Sequence, residues 1–363
     1  MRGDFYAAPA SVPDEPGVLL RHEPLTARWV PAHARAWRIL YTTTHEDGRR
    51  ALASGMVLAP RATDGGEAVN LVAWGHGTTG ITSACAPSQL RKGPEAGAML
   101  ITRQVLDEGW AIVATDYIGL GVDGAPHPWM IGEPGGRAVL DSIRAARQVP
   151  ALALRDRTVL WGHSQGGHAA IWAGQLAADY APELELVGIA ALAPGTNPLA
   201  IVSGLDAVFG GLVFMSYTID AYSSYYPNVT AAEYVRPRSR RLVRQLSKRP
   251  LGDPRTIAAL VIATALKRRI WLARPESGAL RDRLVENIPS GSLQIPVLIA
   301  QGTRDEVVPI SAQDHYVEDR RNEGHNIDYR RYEGLRHVSL VERDSPLIPH
   351  LLAWTHHRFA EAS

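Results

Sequence analysis

The sequence predicts an α/β fold built on a mostly parallel, doubly wound sheet, and three observations lead to this prediction. The chain opens with two strand-like segments joined by a turn at Asp47 and Gly48. Short apolar runs then alternate with stretches of helical spacing, as in successive βα units. The runs are almost uninterrupted by polar residues, which is typical of strands that are buried on both faces of a sheet.

Each element follows from its local pattern. Alternation at Trp37, Ile39 and Tyr41 predicts the first strand of a hairpin, whose second strand covers 51–58. Buried strands are then predicted at 68–74, 110–115, 158–161, 186–192 and 295–300, and a further strand is predicted at 327–332. Helices are predicted at 137–149, 169–180 and 347–359, where apolar residues recur on one face.

Two intervals do not follow this rhythm. Residues 1–32 are rich in proline and small residues, and they predict an N-terminal arm over the surface. Residues 197–290 contain helical segments such as 254–267 but no comparable strand run, which predicts a helical cap, or lid, inserted into a core of 33–196 and 291–363. The basic run from Arg236 to Arg249 is expected to be a solvated helix face; a site for an anionic substrate or membrane surface is the alternative.

Composition narrows the classes of function. The 363 residues carry a formal net charge of +1, so no global field favours nucleic acid and no nucleic-acid partner is predicted. The single cysteine, Cys85, excludes an intramolecular disulfide and multi-thiolate metal sites. No apolar stretch reaches the length of about 18 residues that a transmembrane helix needs. The segment after Met1 lacks a secretory pattern, so we expect a cytoplasmic location, or a secreted one if a leader has been removed.

The first chemical signal is the segment 162–166, G-H-S-Q-G, which matches the pattern G-x-S-x-G. It lies between a strand run and a helical face, and strand, tight turn and helix are what a nucleophile elbow requires. Ser164 is therefore the predicted nucleophile. The alternative is an ordinary βα turn in which this serine caps the helix.

A serine hydroxyl needs a base to remove its proton, and the base needs an orienting acid. In the fold that carries this elbow, the acid and then the histidine follow the serine along the chain, each after a late strand. Asp305 follows the run 295–300, with Glu306 as its competitor, and His337 follows the run 327–332. The predicted triad is therefore Ser164, Asp305 and His337 on an α/β-hydrolase fold.

The oxyanion of such a reaction needs hydrogen-bond donors. The turn 75–80, G-H-G-T-T-G, follows the strand run 68–74, and it predicts that the backbone N–H of Thr78 pairs with that of Gln165 as the oxyanion hole. The Thr78 hydroxyl is a further candidate donor, and His76 is expected to orient the loop. The alternative is a flexible βα loop without this role.

These motifs resemble those of the secretory lipases of the Candida antarctica lipase A type. The resemblance rests on 76–80 running on to 85–88, on 116–121 (D-Y-I-G-L-G), on 162–167, and on 302–305 with the downstream His337. It implies hydrolysis of a small-molecule or lipid ester without a metal or organic cofactor, and an insertion that acts as a lid with an acyl tunnel. On that basis Phe209, Phe214 and Tyr217 become substrate-binding candidates, with packing of the cap as the alternative. Tyr117, near the expected mouth of the site, is a further candidate, with a structural role as its alternative.

The sequence therefore predicts a serine carboxylic-ester hydrolase, an esterase or lipase, that acts through an acyl-serine intermediate. An acyltransferase that passes the acyl group to an alcohol or amine is the first alternative. A peptidase is a weaker one, and a non-catalytic binding module on a hydrolase scaffold belongs to a different class. The acyl length, the alcohol portion and the oligomeric state are left open.

Overall fold

A computed structural model of the chain describes residues 4–61, 67–94, 101–150, 152–208, 210–251 and 270–361. Its strands form one nine-stranded sheet in the order β1-β2-β3-β5-β4-β6-β7-β8-β9. The strands are β1 (Leu19–Pro24), β2 (Ala34–Thr44), β3 (Arg50–Pro60), β4 (Val69–Gly75), β5 (Ala111–Ile118), β6 (Leu154–His163), β7 (Glu185–Leu192), β8 (Val297–Gly302) and β9 (Ile327–Tyr332).

The pairing of the strands changes once along the sheet, from antiparallel to parallel. The pairs β1–β2, β2–β3 and β3–β5 are antiparallel. From β5 through β4, β6, β7 and β8 to β9, every pair is parallel. The carboxyl ends of the parallel strands therefore meet at one edge, where α/β proteins of this kind place their binding sites.

Helices cover both faces of the sheet, as the doubly wound prediction requires. The α-helices of the described residues are α1 (Thr102–Asp107), α2 (Gly132–Arg147), α3 (Gln165–Tyr180), α4 (Pro198–Gly204), α5 (Gly211–Tyr225), α6 (Ala231–Tyr234), α7 (Arg240–Ser247), α8 (Gly278–Glu286), α9 (Ile310–Asn322) and α10 (Leu347–Glu361). Buried side chains of α2, α3 and α9 form one core with the sheet, and those of α1 and α10 form a second core on the opposite face. Trp161 links β6 to α10 within the second core, because its fully buried indole N–H donates to Thr355 Oγ1 at 3.0 Å.

One strand of the sheet was not predicted from the sequence. Residues 19–24 of the predicted N-terminal arm form β1, which pairs with β2 at the edge of the sheet. Phe5 and Tyr6 of the same interval are buried against Leu40 and Val122. An edge strand with one polar face and a proline at its end has little apolar alternation, so its pattern resembled a loop.

The described residues between β7 and β8 contain α4 to α8 and no strand of the sheet. We call residues 197–290 the helical segment. Its buried side chains form a third apolar cluster together with Trp129, Met130 and Ile131 of the core. The predicted helix at 254–267 lies outside the described residues, and the role of the helical segment as a lid stays a prediction. Among the described helices, none has the length and apolar character needed to cross a membrane.

Candidate active site

Ser164 lies on a strained turn between the end of β6 and the start of α3. Its backbone angles are φ 57° and ψ −118°, a conformation that costs an L-residue about 1–3 kcal/mol unless the surroundings enforce it. Three backbone hydrogen bonds do so here. The Ser164 N–H donates to Leu192 O at 2.9 Å, and the Ser164 carbonyl accepts from His168 N and Gly195 N, both at 3.1 Å. The geometry is that of a nucleophile elbow, with the side chain held at the carboxyl edge of the sheet.

Two glycines allow the elbow to be this tight. A Cβ atom on Gly162 would lie 2.0 Å from the Gly166 carbonyl oxygen, and one on Gly166 would lie 1.9 Å from the Gly75 carbonyl oxygen. Neither position can accept a side chain without moving backbone. The glycines therefore let β6, α3 and the loop after β4 approach one another closely.

The structure brings Ser164, His337 and Asp305 into one hydrogen-bonded line. His337 Nε2 lies 2.9 Å from Ser164 Oγ, and His337 Nδ1 lies 2.8 Å from Asp305 Oδ2. Asp305 follows β8 and His337 follows β9, the two strands at the edge of the parallel half of the sheet. With Nδ1–H donating to the carboxylate, Nε2 is free to accept the serine proton.

The Asp305 carboxylate is buried and well satisfied. Its side chain has no exposed area, and its Oδ1 accepts from the backbone N–H groups of Val307 and Val308, both at 2.8 Å. Gln301 Nε2 donates to Oδ2 at 3.0 Å. Burial pushes the pKa of Asp305 upward, but the hydrogen bond and charge of His337 and the two backbone donors outweigh it, so the pKa is lowered. The carboxylate is therefore ionised and can stabilise an imidazolium.

Glu306, the alternative acid, lies differently. Its side chain is 38% exposed and pairs with Arg336 at 2.9 Å, and it reaches only the backbone N–H of His337, at 3.4 Å. It contacts neither imidazole nitrogen in any hydrogen bond of the described residues. The geometry favours Asp305.

His163 contacts His337 from the other side, and the sequence did not predict this contact. Its Nε2–H donates to the His337 carbonyl oxygen at 3.0 Å, and the two rings lie 4.7 Å apart. The signal in the sequence was its place directly before Ser164, the predicted nucleophile.

The two residues predicted to form the oxyanion hole also lie together. Thr78 Oγ1 and Gln165 Oε1 are 3.2 Å apart, and Thr78 and Ser164 are both partly exposed while Gln165 is buried. Trp129 Nε1 donates to Thr78 Oγ1 at 2.9 Å, and Gln165 Nε2 lies 2.9 Å from His127 Nε2. The hydrogen of the Thr78 hydroxyl is thus directed at Gln165, although the sequence suggested this hydroxyl as a further oxyanion donor.

Two buried histidines near the site, His76 and His127, have lowered pKa values. Burial lowers the pKa of His76 to about 4, and its Nδ1 lies 2.6 Å from the Gly77 carbonyl oxygen, within the predicted oxyanion loop. Burial lowers the pKa of His127 to about 3. Both rings are therefore uncharged near neutral pH, and both fit an orienting role.

This burial makes the stability of the fold depend on pH. The folded pKa of His127 is about 3 against an ordinary value of 6.5, so the unfolded chain takes up a proton below pH 6.5 while the folded chain does not. The free energy of unfolding therefore falls as pH falls, by about 2 kcal/mol for this one group between pH 7 and pH 5. His127→Gln lacks this titrating ring. We therefore expect the free energy of unfolding of the variant, compared with that of wild type, to be about 2 kcal/mol higher at pH 5 than at pH 7, as measured by urea unfolding at both pH values. If the two proteins differ in their free energy of unfolding by the same amount at pH 7 and at pH 5, His127 is not buried as a neutral ring.

The aromatic residues proposed to bind substrate occupy different environments. Tyr117 is buried with φ 68°, and its hydroxyl donates to the His76 carbonyl oxygen at 3.2 Å. Tyr217 is fully buried, and its hydroxyl donates to the Arg249 carbonyl oxygen at 2.6 Å. Phe214 is half-buried and stacks on Trp129, with ring centroids 6.2 Å apart. Phe209 lies outside the described residues, and substrate contact by any of these four stays a prediction.

Within the described ranges, no cluster of three or more histidine, cysteine or acidic residues is arranged to hold a metal ion.

Comparison with known proteins identifies the family. The model of a family described as "Secretory lipase" matches residues 86–363. The chain belongs to the secretory lipase family. Among its relatives is a protein of Mycobacterium tuberculosis named a probable inactive lipase, which is 28% identical and matches 98% of this chain and 81% of its own. Lipase A of Arthroderma benhamiae is 26% identical over 90% of this chain and 73% of its own.

Solved structures confirm the fold. Candida antarctica lipase A in its closed state superposes with a TM-score of 0.76 at 20% identity, covering 92% of this chain and 81% of that one. The rice cell wall degrading esterase LipA of Xanthomonas oryzae gives a TM-score of 0.73 at 24% identity, covering 93% and 95%. The predicted family and the α/β-hydrolase fold are therefore both confirmed. Family membership supports a hydrolase of the esterase and lipase class.

Proposed function

We propose that this secretory lipase family member hydrolyses carboxylic esters through an acyl-serine intermediate. The observation that carries the proposal is the unbroken line from Ser164 Oγ through His337 to Asp305, at 2.9 and 2.8 Å. The mycobacterial relative is named a probable inactive lipase, and this name describes that protein and not this chain. In this chain all three side chains are present and within hydrogen-bond distance.

The first half of the reaction acylates the serine. Ser164 Oγ forms a bond to the ester carbonyl carbon while its proton passes to His337 Nε2. The resulting imidazolium is stabilised by the ionised Asp305, and the negative oxygen is bound by the backbone N–H groups of Thr78 and Gln165. The bond from the carbonyl carbon to the alcohol oxygen then breaks, and that oxygen takes the proton from His337 Nε2 as the alcohol leaves.

The second half reverses the roles. A water molecule gives its proton to His337 Nε2 as its oxygen bonds to the acyl carbon. The bond to Ser164 Oγ then breaks, and the serine oxygen recovers the proton from the imidazolium. The products are one carboxylic acid and one alcohol, and the enzyme is unchanged.

The proposal is tested by turnover and by covalent trapping. We expect release of nitrophenolate from nitrophenyl esters between acetyl and palmitoyl, with a maximum at one acyl length. We expect a fluorophosphonate to stop this turnover and to label one peptide, the one that contains Ser164, as seen by mass spectrometry. Turnover that survives labelling, a label at another residue, or no turnover of any ester would overturn the proposal. Added primary alcohol separates hydrolysis from acyl transfer, since transfer yields a new ester in place of the acid.

A further inference from the structure

We propose that Trp129 and His127 are positioning residues that fix the oxyanion hole through the side chains of Thr78 and Gln165. The inference deepens the proposed function and rests on it. Its basis is a continuous chain of four hydrogen bonds that runs from the Trp129 indole to the Ile118 carbonyl.

The direction of the first two bonds follows from the Trp129 end. An indole N–H can only donate, so Thr78 Oγ1 accepts from Trp129 Nε1 at 2.9 Å. The hydroxyl hydrogen of Thr78 is then available for Gln165 Oε1, 3.2 Å away. This assigns the amide orientation of Gln165, with its oxygen toward Thr78 and its nitrogen toward His127.

The direction of the other two bonds follows from the Ile118 end. A carbonyl oxygen can only accept, so His127 Nδ1 carries its hydrogen and donates to Ile118 O at 2.7 Å. The neutral ring then has a bare Nε2, which accepts from Gln165 Nε2 at 2.9 Å. Starting from either end gives the same orientation of Gln165, so the chain contains no donor facing a donor.

This chain ties together the two residues whose backbone N–H groups are the candidate oxyanion donors. Gln165 lies at the start of α3, whereas Thr78 lies in a loop without regular secondary structure after β4. The Thr78–Gln165 bond spans the gap between these two elements. Donors that are preorganised at the separation the oxyanion needs are what lowers the barrier of acyl transfer.

The orientation of the Trp129 ring is itself set by the helical segment. Phe214 of α5 stacks on Trp129 with an interplanar angle of 24°, and Tyr217 meets it edge-on with centroids 6.0 Å apart. The loop is held at a second point, because Leu251 N donates to the Thr79 carbonyl oxygen at 2.9 Å. The helical segment thus acts on Thr78 through Trp129 and contacts Thr79 directly.

Two pairs of variants isolate the hydrogen bonds from the packing. Trp129→Phe keeps an aromatic ring against α5 but has no N–H, and Tyr225→Phe removes one hydroxyl from the same helix, at its surface bond to Glu46. His127→Phe removes both ring nitrogens, whereas His127→Gln restores one donor and one acceptor. Rates are divided by the active-site concentration from fluorophosphonate titration, so partial unfolding does not count as lost catalysis.

We expect Trp129→Phe and His127→Phe to lower kcat about tenfold or more with KM changed less than about twofold, because the interaction is made in the transition state. We expect the kcat of His127→Gln to lie within about threefold of the wild-type value. We expect the kcat of Tyr225→Phe to equal the wild-type value. A thionoester with the same acyl and leaving groups provides the specific readout. Its sulfur accepts weak hydrogen bonds, so the ratio of ester to thionoester rates falls when the donors are displaced.

Unchanged kcat and an unchanged rate ratio in both Trp129→Phe and His127→Phe would overturn the inference. So would a raised KM at constant kcat, which would make these residues contacts of the bound substrate. Should Trp129→Phe fail to fold, the two His127 variants decide alone. A wild type that turns over no ester overturns this inference and the proposed function together. If turnover depends on Ser164 but neither Trp129→Phe nor His127→Phe changes kcat or the rate ratio, this inference alone is overturned.

Discussion

Replacing Ser164 with alanine is expected to lower kcat for nitrophenyl esters by about 10⁴ to 10⁶, because the reaction loses its nucleophile while its other groups remain. The residual rate comes from water attacking a substrate that is still bound and still contacts the oxyanion donors. KM is expected to change little, since Ser164 Oγ contacts the acyl carbon only as the new bond forms. The measurement compares kcat and KM of both proteins at the acyl length that wild type prefers.

The matched control is Ser203→Ala. Ser203 is exposed on α4, and its hydroxyl donates to the Leu199 carbonyl oxygen of the preceding turn at 2.8 Å. We expect this variant to keep the wild-type rate. An active Ser164→Ala enzyme would exclude the acyl-serine route. If wild type is inactive, this chain is instead an inactive member of the family, as the name of its mycobacterial relative says of that protein.

Much of the fold could be predicted because the parallel half of the sheet has a strong local signature. Every predicted strand overlaps an observed one, and the run at 327–332 coincides with the edge strand β9 (Ile327–Tyr332) although only the two end residues of that strand are buried. Strands that are buried on both faces must be apolar throughout, so they are visible in the sequence. The edge strand β1 has no such constraint, and it was missed for that reason.

The positions of the triad residues could be predicted because they depend on chain order. A nucleophile elbow and the two late strands fix where Ser164, Asp305 and His337 fall at the carboxyl edge of the sheet. The distances of 2.8 and 2.9 Å between their side chains fit that expectation, while their catalytic roles stay a prediction.

The supporting contacts could not be predicted because they depend on side-chain directions and on loops far apart in sequence. His163 reaches the backbone of His337 across 174 positions, and Trp129 reaches Thr78 across 51. Neither pair has a spacing rule. The Thr78 hydroxyl is instructive, since its residue type suggested an oxyanion donor, but the indole of Trp129 directs its hydrogen toward Gln165.

Asp305→Asn is expected to lower kcat by about 10⁴ through the tautomer of His337. In wild type the carboxylate offers Oδ1 to two backbone N–H groups and Oδ2 to both His337 Nδ1 and Gln301 Nε2. An asparagine has one oxygen for these donors. If that oxygen faces the backbone, its NH₂ group faces Nδ1, which must then become an acceptor. His337 would carry its hydrogen on Nε2, where it donates to Ser164 Oγ and can no longer accept the serine proton.

The matched control is Glu306→Gln, because the adjacent side chain is exposed and paired with Arg336. We expect it to stay within about threefold of wild type, since a glutamine oxygen can still accept from the His337 N–H. The measurement compares kcat of Asp305→Asn and Glu306→Gln with that of wild type at one acyl length.

The amide introduced by Asp305→Asn has a second orientation, in which its NH₂ group faces the backbone. That group would then lie against the N–H donors of Val307 and Val308. In the first orientation the NH₂ group opposes the Gln301 Nε2 donor, and in the second it opposes the two backbone donors. The variant should therefore lose stability as well as rate, and its thermal unfolding is measured beside its kcat. A large loss in Glu306→Gln with none in Asp305→Asn would reverse the assignment of the acid. It would also mean that His337 takes its orientation from a surface carboxylate that the observed geometry places 3.4 Å from its backbone.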